Sequence, residues 1–469
     1  MPKPPVLTPQ ATDFPKWYQD VVAKAELADN GPVRGTMVIR PWAYGLWEQL
    51  QGEINRRIKA AGAQNAYFPL LIPASYLQKE AEHVEGFAPE LAIVTQGGGK
   101  ELEEPAVIRP TSETIINSSF SKWINSYKDL PLRINNWSNV VRWELRPRLF
   151  LRTTEFLWQE GHTAHATADE ARAYALQILE DVYRSVMVDV MGIPVIPGLK
   201  TRKETFAGAI RSWTCEGMMG DGKALQMGTS HELAQNFAKA FDIRFQDQNG
   251  EMQHPWQTSW GVSTRLLGAA IMVHGDDHGM RISPRAAPTQ VVVMQLAEDD
   301  AVAAAARATV QELLGRGVRV ELDDRVDRGF GRRATDWELK GAPIRIELGK
   351  RDIDKGEATI ADRVDRSKTS VPLTELVART VEVLDGQHQR LYDEALARRT
   401  ERTVDVETVE DALAAAGNGF ARIPWATLGL EGEETLAKQG VTVRCLVGAD
   451  GSLSDPDEPG VLAVVARAY

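Results

Sequence analysis

The sequence predicts a large α+β domain, an antiparallel sheet with flanking helices, followed by a smaller α/β domain and a short α+β C-terminal domain. Three observations predict it. An amphipathic pattern of helical period runs from Pro41 to near Gly62, short β-prone apolar runs separated by polar turns fill positions 106 to about 287, and strand-like and helix-like runs alternate from Thr289. The expected divisions are 1–287, 288–403 and 404–469.

The first helix is read from Pro41 followed by Leu46, Trp47, Leu50, Ile54 and Ile58, closing near Gly62, with proline at its start and glycine at its end. A strand-like run follows at Tyr67 to Ile72. β-prone stretches at Arg133 to Trp143, Phe150 to Trp158 and Ala224 to Met227 supply the sheet. In the second domain Val291 to Leu296 and Val318 to Leu322 read as strands around an alanine-rich helix, Ala301 to Leu314. A helix centred on Trp337, strands at Ile344 to Leu348 and Ala358 to Ala361, and a long charged helix from Thr374 to about Thr403 complete it. The last region carries strand-like runs at Val441 to Val447 and Val461 to Val465.

At 469 residues, 43% hydrophobic and 25% charged, the chain has material for two or three cores and reads as globular throughout. Nothing approaches the roughly 18 to 20 apolar residues of a membrane span, and Met1 to Pro9 is proline-rich without a signal-peptide core, so no membrane partner and a cytoplasmic location are expected. Two cysteines, Cys215 and Cys445, are too few for a disulfide framework or a four-thiolate zinc site. A formal charge of −11 argues against indiscriminate nucleic-acid binding, which needs clustered Lys and Arg. An RNA partner has to be inferred from motifs and gripped by local basic stretches.

Four constellations carry chemistry. Arg142-Trp143-Glu144 is followed by Arg146, Arg148 and Arg152, then Glu155-Phe156 and Glu160-Gly161-His162. Arginine is always charged and binds phosphate or carboxylate bidentately, so Arg142 suits an α-phosphate and Phe156 a stacked base; a surface ion-pair ladder fits the same pattern. Gly261-Val262-Ser263-Thr264-Arg265 reads as a glycine-bounded turn aiming one arginine from a helix start, or as a helix capped by Ser263 or Thr264 with an exposed arginine. Arg109-Pro110-Thr111-Ser112-Glu113 also fits a helix cap. Gln226-Met227-Gly228-Thr229-Ser230-His231, with Phe206 and Gly208 upstream, ends on a histidine that suits a structural role equally well.

Together and in this order the motifs resemble class II aminoacyl-tRNA synthetases, and within them the prolyl branch found in archaea, eukaryotes and some bacteria, over nearly the whole chain. The helix ending before Tyr67-Phe68-Pro69 resembles motif 1, the dimer interface of the family; Arg142 to Glu160 resembles motif 2, and Gly261 to Arg265 motif 3. The resemblance implies ATP-dependent activation of L-proline and its transfer to tRNA(Pro) by a homodimer, with Mg2+ bridging the ATP phosphates. It implies that Arg142 contacts the proline carboxylate and α-phosphate, and Arg265, next to Ser263, the γ-phosphate. Glu144 and the backbone near Thr153 and Thr154 address adenine with Phe156 stacked on it, and Gln226 and Thr229 hold the ribose end. Thr111 and Glu113 hold the secondary ammonium of proline, with Trp158, Glu160, Phe206 and His231 enclosing its ring. A sister threonyl enzyme is disfavoured by the lack of its zinc-binding cysteine and histidines. A synthetase-like protein that binds RNA or a partner without catalysis is the alternative from another class.

The second domain resembles the anticodon-binding domain of this subgroup through Asp336 to Gly341 and Pro343-Ile344-Arg345, which implies that Glu338 and Arg345 read anticodon bases; Ala334 stands where relatives commonly carry an aromatic. At the C-terminus Pro424-Trp425 and Arg444-Cys445 resemble the family's zinc-binding domain, but its other thiolate positions are absent, so a metal-free remnant is expected and stoichiometric zinc in purified protein would contradict it. The ending at Tyr469 also matches, and in relatives it reaches toward the active site. Only 65 residues separate Glu160 from Gln226, too few for the editing domain that bacterial-type prolyl enzymes insert there. A missing methylene in an apolar pocket changes binding by only about 1–3 kcal/mol. Alanine is therefore expected to be activated detectably and its clearance left to a separate trans-editing protein; hydrolysis of alanyl-tRNA by this chain alone would refute this.

Overall fold

The structure, a computed structural model, describes residues 5–77 and 91–469. Its centre is an eleven-stranded sheet. From the catalytic-type half outward, Gln64–Asn65, Leu132–Val141, Glu155–His165, Trp256–Ser263, Ala224–Ala234, Arg211–Met218 and Val195–Leu199 follow one another in hydrogen-bonded order. All of these neighbours pair antiparallel except Gln64–Asn65, which runs parallel to Leu132–Val141. The sheet then continues through Thr442–Val447, Leu462–Ala466, Phe420–Pro424 and Thr403–Asp405. The C-terminal region thus extends the main sheet, joined to it by the paired position Leu446 with Leu199 and by a parallel bridge between Ala224 and Ala468.

The helix read from the Pro41 pattern spans Pro41–Ala60 and buries Leu46, Trp47, Leu50, Ile54 and Ile58 on one stripe. It packs against the sheet together with Ala168–Gln177 and its π-helical continuation Ile178–Arg184, and Arg265–His274 joins the same core. Several strands differ from their expected limits. The run Tyr67 to Ile72 forms a strand only at Leu71–Pro73, in a small three-stranded sheet. Positions 150 to 154 form turns, and the strand expected from Phe150 begins at Glu155 instead, because Leu151 N and Arg152 N are committed to the carbonyl of Arg148. Gly261 lies within the strand Trp256–Ser263 rather than in a turn; the helix starts at Arg265, where Thr264 makes no side-chain cap bond but Ser263 Oγ accepts from Arg265 N at 3.2 Å. One glycine in this layer is set by close approach: a Cβ on Gly161 would fall 2.1 Å from the ring of Trp260, which is buried on the neighbouring strand.

The second domain is a five-stranded sheet in the order Val320–Asp323, Val291–Gln295, Ile344–Leu348, Glu357–Asp362, Lys368–Pro372, parallel over the first three and antiparallel over the last two. Helix Asp300–Gly315 is capped by Asp299, which accepts from Ala301 N and Val302 N. Helix Phe330–Lys340 ends on Gly341 in the left-handed conformation, φ 71°. Trp42 in helix Pro41–Ala60 donates to the carbonyl of Lys340 at 2.9 Å, and helix Leu376–Glu401 runs from the second domain back to the main core, where Ala395 is buried. No helix among the described residues is long and apolar enough to cross a membrane.

Candidate active site

Strand alternation builds the site. Phe156, Trp158, Glu160 and His162 fall on one face of Glu155–His165, since successive side chains of a strand point to opposite sides. Register carries that face across the neighbours: Trp158 pairs with Ser263, Glu160 with Gly261, and His162 with Ser259; then Gly261 pairs with Thr229, and Ser259 with His231. All of these line a cavity of about 360 Å³, with Thr111, Glu113, Arg142, Glu144, Arg152, Thr153, Lys200, Glu204, Phe206, Gln226 and Arg265 on its rim and walls.

One end is a carboxylate pocket. The hydroxyl of Thr111 donates to the carboxylate of Glu113, which opens helix Glu113–Trp123. Glu160 accepts from Ser112 N at 3.0 Å and Asn136 Nδ2 at 3.3 Å, and lies 3.2 Å from His162 Nε2. Ser112 therefore stands at the cap position of the helix without capping it with its side chain; its backbone N–H serves Glu160. Burial opposes charge on His162, but the hydrogen bond to Glu160 and the charges of Glu113 and Glu160 outweigh it and raise its pKa. His231 is the opposite case: burial depresses its pKa to about 3. Ser212 Oγ accepts from Phe206 N at 3.0 Å and is hydrogen-bonded to His231 Nδ1 at 2.8 Å, which fixes the orientation of the ring. The His231 ring stacks on Phe206 with centroids 4.6 Å apart.

The other end is cationic. Arg142 donates through Nε to the carbonyl of Pro110 at 3.0 Å and lies over the rings of Phe156 and Trp158, 5.6 and 5.3 Å from their centroids. Arg265, half-buried rather than exposed, donates through Nε to Leu151 O at 3.1 Å and through Nη1 to Gln226 O at 3.4 Å. Burial first, then the charges of Arg142 and Arg152, lower its pKa to about 10. Two cations that disfavour each other's charge are a place where an anion binds with little reorganisation. Arg152 Nε lies 3.6 Å from Glu144 Oε2, and Glu144 also accepts from Arg146 N at 2.7 Å.

Of the residues singled out in the sequence for this site, only Thr154 stays outside the cavity. Its N–H donates to Gly35 O at 2.7 Å, and its carbonyl accepts from Arg142 N at 2.8 Å, so its backbone is already committed. Sequence reasoning missed Lys200, Glu204 and Arg152 as lining residues. Arg152 stood in the arginine-rich run, whereas Lys200 follows a strand with no motif to flag it. Glu113, Glu160 and His162 also form a group whose ligand atoms lie within 4.8 Å of one another, as a metal site requires, but two of the three are already hydrogen-bonded to each other.

The two anticodon candidates lie in the second domain. Glu338, on helix Phe330–Lys340, accepts from Arg366 Nε at 3.3 Å. Arg345, on strand Ile344–Leu348, is buried with Nη2 3.7 Å from Glu347 Oε1, and burial lowers its pKa. Cys445 is packed among Met218, Phe420, Val464 and other apolar side chains. Tyr469 donates to Asp221 Oδ2 at 2.6 Å, and Arg148 lies 5.8 Å from its ring; it lines a second cavity that shares Leu151 with the first.

Residues 95–274 match the tRNA synthetase class II core domain (G, H, P, S and T), and residues 290–382 match the anticodon binding domain. The chain is 62% identical to proline–tRNA ligase 2 of Streptomyces avermitilis, with 100% of each covered. It is 50% identical to the chloroplastic/mitochondrial proline–tRNA ligase of Arabidopsis thaliana, with 99% of this chain and 88% of that one covered. The prolyl-tRNA synthetase of Cryptosporidium parvum, solved in complex with halofuginone and AMPPNP, has a TM-score of 0.92 at 35% identity over 99% of both chains.

The raised pKa of His162 generates a pH prediction. A histidine that gains a carboxylate partner on folding stabilises the fold fully below its ordinary pKa of 6.5, and this contribution is lost as pH rises through the higher folded value. The stability gap between the native chain and His162→Gln, measured by denaturant unfolding, should be widest below pH 6.5 and narrow above it; a gap independent of pH would rule the ion pair out.

Proposed function

The chain belongs to the proline–tRNA ligases, class II aminoacyl-tRNA synthetases, and on that premise we propose how its cavity performs the reaction. The enzyme activates L-proline with ATP to prolyl-adenylate, releasing pyrophosphate, and transfers proline to tRNA(Pro). The observation that carries the residue assignment is the pairing, in one cavity, of a carboxylate pocket at one end with two crowded guanidinium groups at the other.

In this reading Thr111, Glu113 and Glu160 receive the secondary ammonium of proline, and Trp158, Phe206 and His231 enclose its ring. Arg142 bridges the proline carboxylate and the α-phosphate, while Arg265, beside Ser263, takes the γ-phosphate. Phe156 stacks on adenine, Glu144 and the backbone of Thr153 meet its edge, and Gln226 and Thr229 hold the ribose. ATP enters as its magnesium complex; the cationic end of the cavity offers guanidinium groups and an already paired Glu144, which suits an ion held mainly by phosphate oxygens and water.

The carboxylate of proline is already a nucleophile, so no general base is needed for the first step. One of its oxygens bonds to the α-phosphorus as the bond to the β-phosphate oxygen breaks, and the electron pair leaves with pyrophosphate. Arg142 aligns both reactants, and Arg265 absorbs charge developing on the leaving group. The ribose hydroxyl at the tRNA end then attacks the adenylate carbonyl. Glu338 and Arg345 are assigned to anticodon bases, supported by their place in the anticodon-binding domain. The packing of Cys445 in an apolar core supports a C-terminal region without zinc. A homodimer and a separate trans-editing partner are proposed from the family, and Leu71 and Ile93, exposed on the small three-stranded sheet, suit an interface.

Proline-dependent ATP–pyrophosphate exchange tests the site directly. Strong exchange with proline and a weak signal with alanine are expected. Removing one transition-state contact by Arg142→Ala or Arg265→Ala should lower kcat by about 100-fold or more, and Glu113→Gln should act mainly on the proline KM. Arg345→Ala should leave exchange unchanged while lowering aminoacylation of tRNA(Pro). Folded protein without exchange on any amino acid would reject the assignment. Sedimentation equilibrium should return twice the chain mass, and a monomer at micromolar concentration would reject the dimer.

A further inference from the structure

Lys200 lines the active cavity directly after strand Val195–Leu199, yet none of the assigned roles uses it. Its ammonium lies 4.0 Å from Glu216 Oε1, with both side chains buried. Glu216 is not free to pair with it fully. Its Oε2 accepts from Arg444 Nε and Nη2, both at 3.0 Å, and its Oε1 accepts from Thr214 Oγ1 at 2.8 Å. Arg444 belongs to the C-terminal region and is 228 residues from Glu216 in sequence. It is the extra residue of a β-bulge between Val443 and Cys445, and the register of Glu216's strand also shifts between Cys215 and Glu216. Bulges re-aim side chains next to sites.

A second bond from the same region reaches the next residue: Thr201 Oγ1 donates to the buried Glu433 Oε1 at 2.6 Å, on helix Trp425–Lys438. Buried ion pairs contribute little net stability against apolar packing of the same volume, so a fold gains little from this cluster as a staple. Its charge is informative instead. Glu216 is shared by two cations and so neutralises Lys200 only in part at the cavity wall, where Glu204 is a further charged neighbour; Glu216 and Thr214 pair with Gln226 and Thr229 on the next strand.

We infer that the C-terminal region sets the active site: Arg444, by holding Glu216, and Glu433, by holding Thr201, are positioning residues that keep the Lys200 ammonium in the cavity for the anionic ligand. Without Arg444, Glu216 turns to Lys200, the other cation whose charged atom lies within 4.0 Å of it, and draws it out of the cavity. The inference rests on the cavity being the adenylation site.

The test is a double-mutant cycle on proline-dependent exchange. Lys200→Met and Arg444→Met should each lower kcat/KM by about 100-fold, the scale of a misplaced contact, and the double variant should lose no more than either alone. Glu216→Gln in the Arg444→Met background should restore most of the activity, because it releases Lys200, whereas adding it to Lys200→Met/Arg444→Met should restore none. Arg444→Lys, which keeps the charge, and Glu433→Gln are milder variants that report if the larger changes unfold the chain; each is expected to fall between native and Arg444→Met. Multiplicative losses, or rescue by Glu216→Gln without Lys200, would overturn the inference in favour of a purely structural pair. Native exchange with loss in Arg142→Ala verifies the underlying site, so a silent native chain would fault that reading and not this one.

Discussion

Burying several cations side by side, away from the anion they serve, is the constraint that organises this molecule. Arg142, Arg265 and Lys200 line one cavity, and Arg142 already disfavours the charge of Arg265. The structure answers with three different devices. Arg142 rests on two aromatic rings and a proline carbonyl, Arg265 on two backbone carbonyls, and Lys200 on a carboxylate already engaged elsewhere. Carbonyls and rings hold a guanidinium without neutralising it, so the positive field remains available to a ligand. Across the cavity two carboxylates are held in turn: Thr111 donates to Glu113, and Ser112 N, Asn136 Nδ2 and His162 surround Glu160.

The sheet makes this possible because its register places side chains from three strands on one face at fixed spacing. Glu160, Gly261 and Thr229 stand in one row, His162, Ser259 and His231 in the next. Catalysis by alignment needs such a rigid frame, since small displacements of a reacting group have large effects on rate.

Much of this was legible in the sequence. The Pro41–Ala60 helix, the Ile344–Leu348 strand and the alternation of Phe156, Trp158 and Glu160 follow from periodicity, because a single buried face imposes it. The site residues were legible as ordered motifs, and the cavity gathers all of them except Thr154, whose backbone is taken by Gly35 and Arg142. What escaped has a physical pattern. The false strand start at Phe150 came from apolar residues, Phe150 and Leu151, that are buried by a turn rather than by pleating. Lys200, Glu216 and Arg444 meet only through pairing of strands more than two hundred residues apart, and no local spacing encodes that contact.

The junction between the two parts of the main sheet is narrow: Leu199 pairs with Leu446, and an isolated bridge joins Ala224 to Ala468. Around it the interior of the C-terminal region is ordinary apolar packing, with the Cys445 thiol used as a small hydrophobe. A region attached in this way is interchangeable in its filling but not along its seam. Changes in that apolar interior can reach the cavity only through the seam, where Arg444 holds Glu216 and Glu433 holds Thr201.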